Sequence, residues 1–357
     1  MRRAAPLVLG AGPAGTVAAI TLARAGAAPV LIDRDETVGD ALCGGFLSWR
    51  SAERLGRLGV HPRDLGGHAV TMLALIASER EAAARLPAPG YGLSRRALDS
   101  ALRARAIADG ARLVIERARA VHPRMVEGEG REWPAETIFL ATGKHDVRGE
   151  ARPRASKDPA LGLRVRLPPD ERLQRMLSGR IELHLFDGGY AGIVLQEDGT
   201  ANICLALRKS LLAEVGGSPR ALLDRLASQH PRFAERMAFA QADLAIDSVG
   251  SVPYGWIAKG TAPGIYRLGD QAAVIPSLAG EGMAIAMASG EMAARSWLTG
   301  EDAATFQRRF AARALRPVRT AELVWALAER RSGARTLAGL TAVAPILARV
   351  AMALTRI

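Results

Sequence analysis

Hydrophobic and polar positions change period along this chain, and the changes mark its elements. Residues 6–10 (PLVLG) are an unbroken apolar run, as in a parallel strand covered on both faces. Residues 13–25 are Ala-rich with helical spacing, and 29–33 (PVLID) is a second short apolar run ending on an acid. Together they predict a strand, a helix and a parallel strand. Residues 94–109 (SRRALDSALRARAIAD) repeat apolar positions at helical spacing, with Gly110 as the stop. Residues 111–142 then read as short strands around EGEGRE, ending in TIFLA.

From 147 to 261 the pattern becomes mixed, and LHLFDGGYAGIVLQEDGTANICLAL reads as hairpins turning at DGG and EDG. A strand at 265–268 leads to Gly269-Asp270, a long helix is predicted at 280–298, and 303–357 is helical by pattern. The implied fold class is α/β. A Rossmann-like nucleotide domain is interrupted by an inserted mixed β-sheet, and a C-terminal helical segment follows.

At 357 residues and 49% hydrophobic, the chain buries a large core, which excludes disorder. The net charge of +12 comes mainly from Arg spread along the whole chain, with aromatics at 4%. That pattern lacks the clustered stripe and stacking platform of a nucleic-acid binder, so no nucleic-acid partner is expected. Cys43 and Cys204 make neither a disulfide scaffold nor a metal-ligand spacing. No metal is expected, and a reducing cytoplasm fits.

Two terminal segments need weighing. Arg2 and Arg3 precede an apolar run as in a secretory leader, but Gly10, Gly12, Pro13 and Gly15 break that run at dinucleotide-fingerprint spacing. Thr336 to Ala348 is apolar between Arg335 and Arg349, yet it contains Pro345 and falls short of the roughly 20 residues of a membrane span. It is either a helical pair packed on the body or a basic amphipathic contact with a membrane surface.

The chemistry begins at Gly10-Ala11-Gly12-Pro13-Ala14-Gly15, which follows a strand and opens a helix. Gly12 lets the backbone approach a pyrophosphate on the helix N-terminus. Asp33, beside Arg34, ends the second strand, where a carboxylate accepts from ribose hydroxyls.

With this fingerprint in place, residues 5–300 resemble the flavoprotein monooxygenases of the p-hydroxybenzoate hydroxylase fold, and within them the geranylgeranyl reductase-like branch. The second shared motif is Tyr266-Arg267-Leu268-Gly269-Asp270-Gln271-Ala272-Ala273, followed by Pro276, by Gly280-Glu281-Gly282-Met283 and by a helix carrying Ser289-Gly290. The resemblance implies that Asp270 binds the ribityl chain of FAD and that the turn at 280–283 presents amides to the flavin pyrimidine edge. A helix N-terminus there would stabilise the negative charge of reduced flavin. Leu93-Ser94-Arg95-Arg96-Ala97-Leu98-Asp99 resembles the helix whose leading arginine reaches FAD, and Arg95 fits the register better than Arg96.

The resemblance also places Cys43-Gly44-Gly45-Phe46 beside the isoalloxazine ring, with Cys43 as a catalytic candidate able to supply a proton after hydride transfer. Val252-Pro253-Tyr254-Gly255-Trp256 partly resembles a motif lining the lipid pocket. That makes Tyr254 a second catalytic candidate, and Phe46, Tyr254 and Trp256 the expected substrate pocket. After TIFLA, Gly143 is kept in the turn while the family's Asp-Gly is replaced by Lys144-His145, and His145 is read as a polar loop residue.

The expected layout is an FAD-binding domain at 1–70, 93–146 and 262–300, a substrate domain at 71–92 and 147–261, and C-terminal helices at 301–357. No second fingerprint follows a strand, so NAD(P)H is expected as an external reductant. Three readings stay open. They are reduction of a C=C bond in a polyprenyl or similar apolar substrate, hydroxylation of an aromatic or polyketide, and flavin binding without catalysis.

Overall fold

The computed structural model describes residues 4–153 and 156–357, so the Arg2-Arg3 pair lies outside the described residues. The chain opens with β1 (Leu7–Leu9), α1 (Pro13–Arg24) and β2 (Val30–Asp33), the predicted unit slightly trimmed at its ends. β3 (Phe46–Leu47), α2 (Trp49–Arg57), β4 (His68–Ala77) and β5 (Arg80–Gly92) lead to α3 (Arg95–Ala108). α3 starts where it does because the Ser94 hydroxyl accepts from the Ala97 N–H at 3.0 Å. β6 (Arg112–Ile115) follows, then β7 (Ala118–His122), β8 (Met125–Gly128), β9 (Glu132–Pro134) and β10 (Ile138–Leu140).

The mixed segment supplies β11 (Ala160–Leu167), α4 (Glu171–Leu177), β12 (Arg180–Phe186), β13 (Gly189–Leu195) and β14 (Ala201–Arg208). It continues with α5 (Lys209–Ala213), α6 (Pro219–Gln229), α7 (Pro231–Met237) and β15 (Asp247–Val252). The chain returns through β16 (Ile265–Arg267) to α8 (Gly282–Thr299), α9 (Ala303–Ala328), α10 (Arg331–Val343) and α11 (Pro345–Leu354). α8 begins later than the pattern predicts, because Ser277–Ala279 forms a 3-10 turn closed by Gly280 at φ +66°.

β16, β10, β1, β2 and β6 make one parallel sheet, in that order. Both faces are covered, which is why its strands read as continuous apolar runs. Val8, Leu31 and Phe139 pack in one core with residues of α1, α3 and α8. Leu7, Leu9, Ile32, Ile138 and Leu140 pack against Val121, Val126 and Trp133 of the antiparallel sheet β7-β8-β9.

The second large sheet runs β15-β11-β14-β13-β12-β4-β5-β3. The early strands β3, β4 and β5 therefore complete a sheet whose other members come from the inserted segment. Its hairpins turn at Asp187-Gly188 and at Gln196–Thr200, as the sequence predicts. Ile193 and Ile203 pack with Leu173, Leu222 and Phe233 of α4, α6 and α7, while Tyr190, Gly192 and Cys204 line a cavity on the sheet's other side.

α1 and α8 touch backbone to backbone. A Cβ on Gly290 would lie 2.2 Å from the Ala14 carbonyl oxygen. We expect Gly290→Ala to cost about 1–3 kcal/mol, the usual penalty of forcing an extra methyl into a packed core. Gly339→Ala on α10, where an added Cβ meets nothing within 4 Å, is the control and should leave the melting temperature of the apoprotein unchanged or raised. Thermal unfolding of both variants decides the point.

Candidate cofactor and substrate site

Gly12 is the N-cap of α1, with extended φ −77° and ψ −176°, no side-chain cap and Pro13 opening the helix. The uncapped first-turn amides border a cavity of about 740 Å³ lined by Gly10, Gly12, Asp33, Arg34 and Gly143. Gly10 needs its φ of +104°, and a Cβ there would meet the Ala141 carbonyl oxygen at 2.4 Å. Gly15 lines neither this cavity nor the next. A Cβ on it would lie 1.9 Å from the Gly10 carbonyl oxygen, so it brings α1 close to the β1 end rather than touching a ligand.

Asp33 also does more than sequence reasoning gave it. One carboxylate oxygen accepts from the Ala11 N–H at 2.6 Å, and the other accepts from the Asp35 N–H at 3.0 Å and lies 3.3 Å from Arg103. It fixes the fingerprint loop and still has lone pairs to offer at the cavity.

Arg95, Asp99 and Arg103 recur at i, i+4 and i+8 on one face of α3. Arg95 lines the cavity and donates to Asp99 at 2.9 and 2.5 Å, whereas Arg96 faces Asp40 through its backbone N–H. Burial works against the Arg95 cation, but Asp99 more than offsets it, and the net direction is upward. Burial likewise raises Asp99, with Arg95 holding it back. His145 borders the same cavity and is pushed below its ordinary value by burial and by Arg34, Lys144 and Arg152.

A second cavity of about 260 Å³ is lined by Pro13, Ala14, Cys43, Gly44, Phe46, Tyr254, Gly269, Gly280, Gly282 and Met283. It shares Gly12, Arg95, Gly143, Lys144 and Asp270 with the first, so the two form one channel. Added Cβ atoms at Gly44, Gly143 and Gly282 would meet nothing within 4 Å, which leaves backbone facing open space. The Cys43–Gly45 turn is held from two sides. Lys144 donates to the Leu42 carbonyl at 2.7 Å, and Asn202 donates to the Cys43 carbonyl at 3.1 Å.

The rest of this cavity is apolar, with Leu73, Leu86, Ile181, Leu183, Leu278 and Met352 on its walls. Arg356 and one polar cluster interrupt it. Tyr190 donates to the Ser277 hydroxyl at 2.9 Å, and the Tyr254 and Ser277 hydroxyls lie 2.5 Å apart. Burial pushes both tyrosines above their ordinary values and the Cys204 thiol up to about 12, so all three stay protonated at neutral pH.

Besides Gly15, two expected site residues lie off both cavities. Trp256, whose main chain accepts from the Val274 N–H at 2.8 Å, lines neither cavity. Pro276 also lines neither, being the extended residue that enters the 3-10 turn at Ser277. Sequence reasoning missed Arg103, Lys144, Tyr190, Cys204 and Ser277. Only Arg103 was signalled, by its spacing from Arg95. Tyr190 and Cys204 share a sheet face that cannot be assigned before the strand register is known.

Residues 3–118 match the family model described as FAD binding domain. The chain is an FAD-dependent oxidoreductase. It is similar to digeranylgeranylglycerophospholipid reductase 2 of Methanopyrus kandleri, 28% identical across 85% of this chain and 80% of that one. It is also similar to menaquinone reductase of Mycolicibacterium smegmatis, 24% identical across 84% and 77%. Among solved structures, a geranylgeranyl bacteriochlorophyll reductase-like protein from Thermoplasma acidophilum superposes with TM-score 0.73 at 20% identity, covering 94% of this chain and 90% of that one. PqsL of P. aeruginosa, solved with 2-aminobenzoylacetate, gives TM-score 0.75 at 16% identity, covering 95% and 99%. The structural likenesses establish the fold.

The residues present fit FAD. The bare α1 amides, the loop-fixing Asp33 and the open space at Gly143 and Gly282 provide a long polar channel that ends at the uncapped N-terminus of α8. Gly12→Val should abolish flavin retention while leaving the fold intact, since the nearest atom to an added Cβ is the end of the Arg95 side chain at 3.5 Å. Asp270→Ala should weaken binding by about 1–3 kcal/mol. Fluorescence titration of apoprotein with FAD, beside circular dichroism, measures both; unchanged affinity in both variants would place the cofactor elsewhere.

Proposed function

We propose that this chain reduces a C=C bond in a polyprenyl or similar isoprenoid substrate. The observation that carries the reading is the largely apolar cavity that meets the cofactor channel at Gly12, Leu42, Gly143 and Lys144, next to the Cys43–Gly45 turn. Two curated relatives, named for a geranylgeranyl lipid and for menaquinone, support it. In this reading residues 1–70, 93–146 and 262–300 bind FAD, and 71–92 with 147–261 hold the substrate. NAD(P)H is the external reductant, and the location is cytoplasmic, in keeping with the free thiols of Cys43 and Cys204.

FAD, held by the channel residues and reduced, would supply the hydride chemistry for the alkene. The protein's own task is to exclude water, hold the chain and give a proton to one alkene carbon. Leu73, Leu86, Ile181 and Leu183 exclude water. Cys43 lines the apolar cavity next to Leu42, which borders both cavities, and gives the proton, and the Tyr254-Ser277-Tyr190 cluster orients a polar end of the substrate.

The test is anaerobic. Reduced protein mixed with a polyprenyl alkene should reoxidise without oxygen, and Cys43→Ser should slow that step while flavin affinity and flavin reduction stay near wild type. If the alkene is inert but an aromatic substrate is hydroxylated on admitting oxygen, the monooxygenase reading replaces this one. If neither reacts, catalysis itself is overturned.

We also propose that α10 and α11 rest on an anionic membrane. Among the described residues no single helix is long and apolar enough to cross a bilayer, and these two meet at 113°. Leu340, Val343 (88% exposed), Ile346, Leu347 and Val350 present an apolar surface, with Arg330, Arg331, Arg335 and Arg349 exposed around it. α11 turns Met352 toward the substrate cavity, giving a lipid chain a short route inward. Wild type should sediment with anionic vesicles and not with neutral ones, and Val343→Glu with Leu347→Glu should abolish this. Retained binding in the double variant, or self-association without vesicles, refutes the membrane contact.

A further inference from the structure

Glu281 is the N-cap of α8, yet it makes no side-chain cap bond and its side chain is withdrawn from solvent. It is ion-paired at 2.5 Å with Arg356, a residue far away in the chain. Arg356 is 4% exposed, donates to the Ala279 carbonyl at 2.9 Å and lies 4.5 Å over the Trp49 ring. It therefore touches both residues flanking Gly280, and it lines the substrate cavity beside Gly282 and Met283.

We propose that the Glu281–Arg356 pair is a positioning device for the FAD edge, fixing the turn at Gly280–Met283 and setting the charge that reduced flavin meets at the α8 N-terminus. The inference rests on the reading that FAD lies along that turn.

A pair this deeply buried has a definite electrostatic behaviour. Burial pushes the Glu281 carboxyl up to about 7, and Arg356, the Ser48 hydroxyl, Arg50 and Arg54 keep it from rising further. Arg54 is itself tied to Glu291 at 3.1 Å, so Arg356 is the direct partner. Above that pH the pair is neutral. Below it, protonated Glu281 leaves Arg356 as an uncompensated cation near the helix N-terminus, where it favours the anionic reduced flavin. Linkage makes the effect reciprocal, so reduction draws a proton to Glu281.

The experiment measures the flavin midpoint potential of the FAD-loaded protein across roughly pH 5 to 9, a range spanning the carboxyl's ordinary and buried values. Wild type should show an extra rise in potential as pH falls through the neutral region. Glu281→Gln should lose that step and stay high, Arg356→Met should move it to higher pH, and Arg356→Lys should keep it. Parallel potential curves for wild type and Glu281→Gln overturn the proposal.

Melting of the apoprotein gives a second readout. The folded-state value of Glu281 lies above its unfolded one, so its stabilising contribution is complete below the ordinary carboxylate range and is lost as pH rises to about 7. Wild type should lose melting temperature across that window relative to Glu281→Gln; equal slopes overturn the titration. A chain that retains no flavin at all refutes the FAD reading instead, and the melting comparison still decides whether Glu281 titrates.

Discussion

Because residue 290 has no side chain, the backbone of α8 lies directly against the Ala14 carbonyl of α1. The rest of the site depends on that contact. It puts the uncapped N-termini of two helices, drawn from opposite ends of the chain, on one channel. Gly269, which leads into the second motif, sits in the same junction, its N–H donating to the Ser289 hydroxyl at 2.7 Å and its α-carbon facing Ala14. A cofactor with a phosphate end and an electron-accepting end needs two positive poles at a fixed separation. Two helix ends locked by close packing provide them without placing a full charge in the core.

The channel divides by chemistry because the elements that wall it obey different rules. The phosphate half lies beyond the ends of parallel strands, where loops expose amides and where Asp33, Arg95 and Arg103 gather. The apolar half is bounded by one face of the mixed second sheet, whose alternation sends every second side chain inward. Tyr190, Gly192 and Cys204 are the inward set, and the intervening residues fill the core behind. The Cys43–Gly45 turn follows Leu42, which borders both halves, and its anchors come from each side: Lys144 on the Leu42 carbonyl and Asn202 from the sheet on the Cys43 carbonyl.

Tyr254 and Trp256 look equivalent in sequence, but only Tyr254 lines the cavity, while the Trp256 main chain pairs with Val274. The C-terminal helices were open between packing on the body and lying on a membrane. In the folded chain Trp325, Ala334 and Ala338 are buried against the second sheet, while Val343 and Leu347 stay exposed. The two faces of this segment serve different neighbours.

Local constraints were legible in the sequence. The run of residues 6–33 could be read because a tight turn, a helix N-terminus and an acid must stand at set spacings, whereas Gly269-Asp270 and the turn at 280–283 were read through the family resemblance. Arg95 was preferred to Arg96 because it matches the leading arginine of the resembling R-x-x-L-D helix. Only the tertiary structure brought Arg356 to Glu281, completed the second sheet with β3, β4 and β5, and gathered Tyr190, Tyr254 and Ser277 around one hydroxyl. Those contacts join residues far apart in the chain, and no local periodicity encodes which distant strand or tail supplies the partner of a buried polar group.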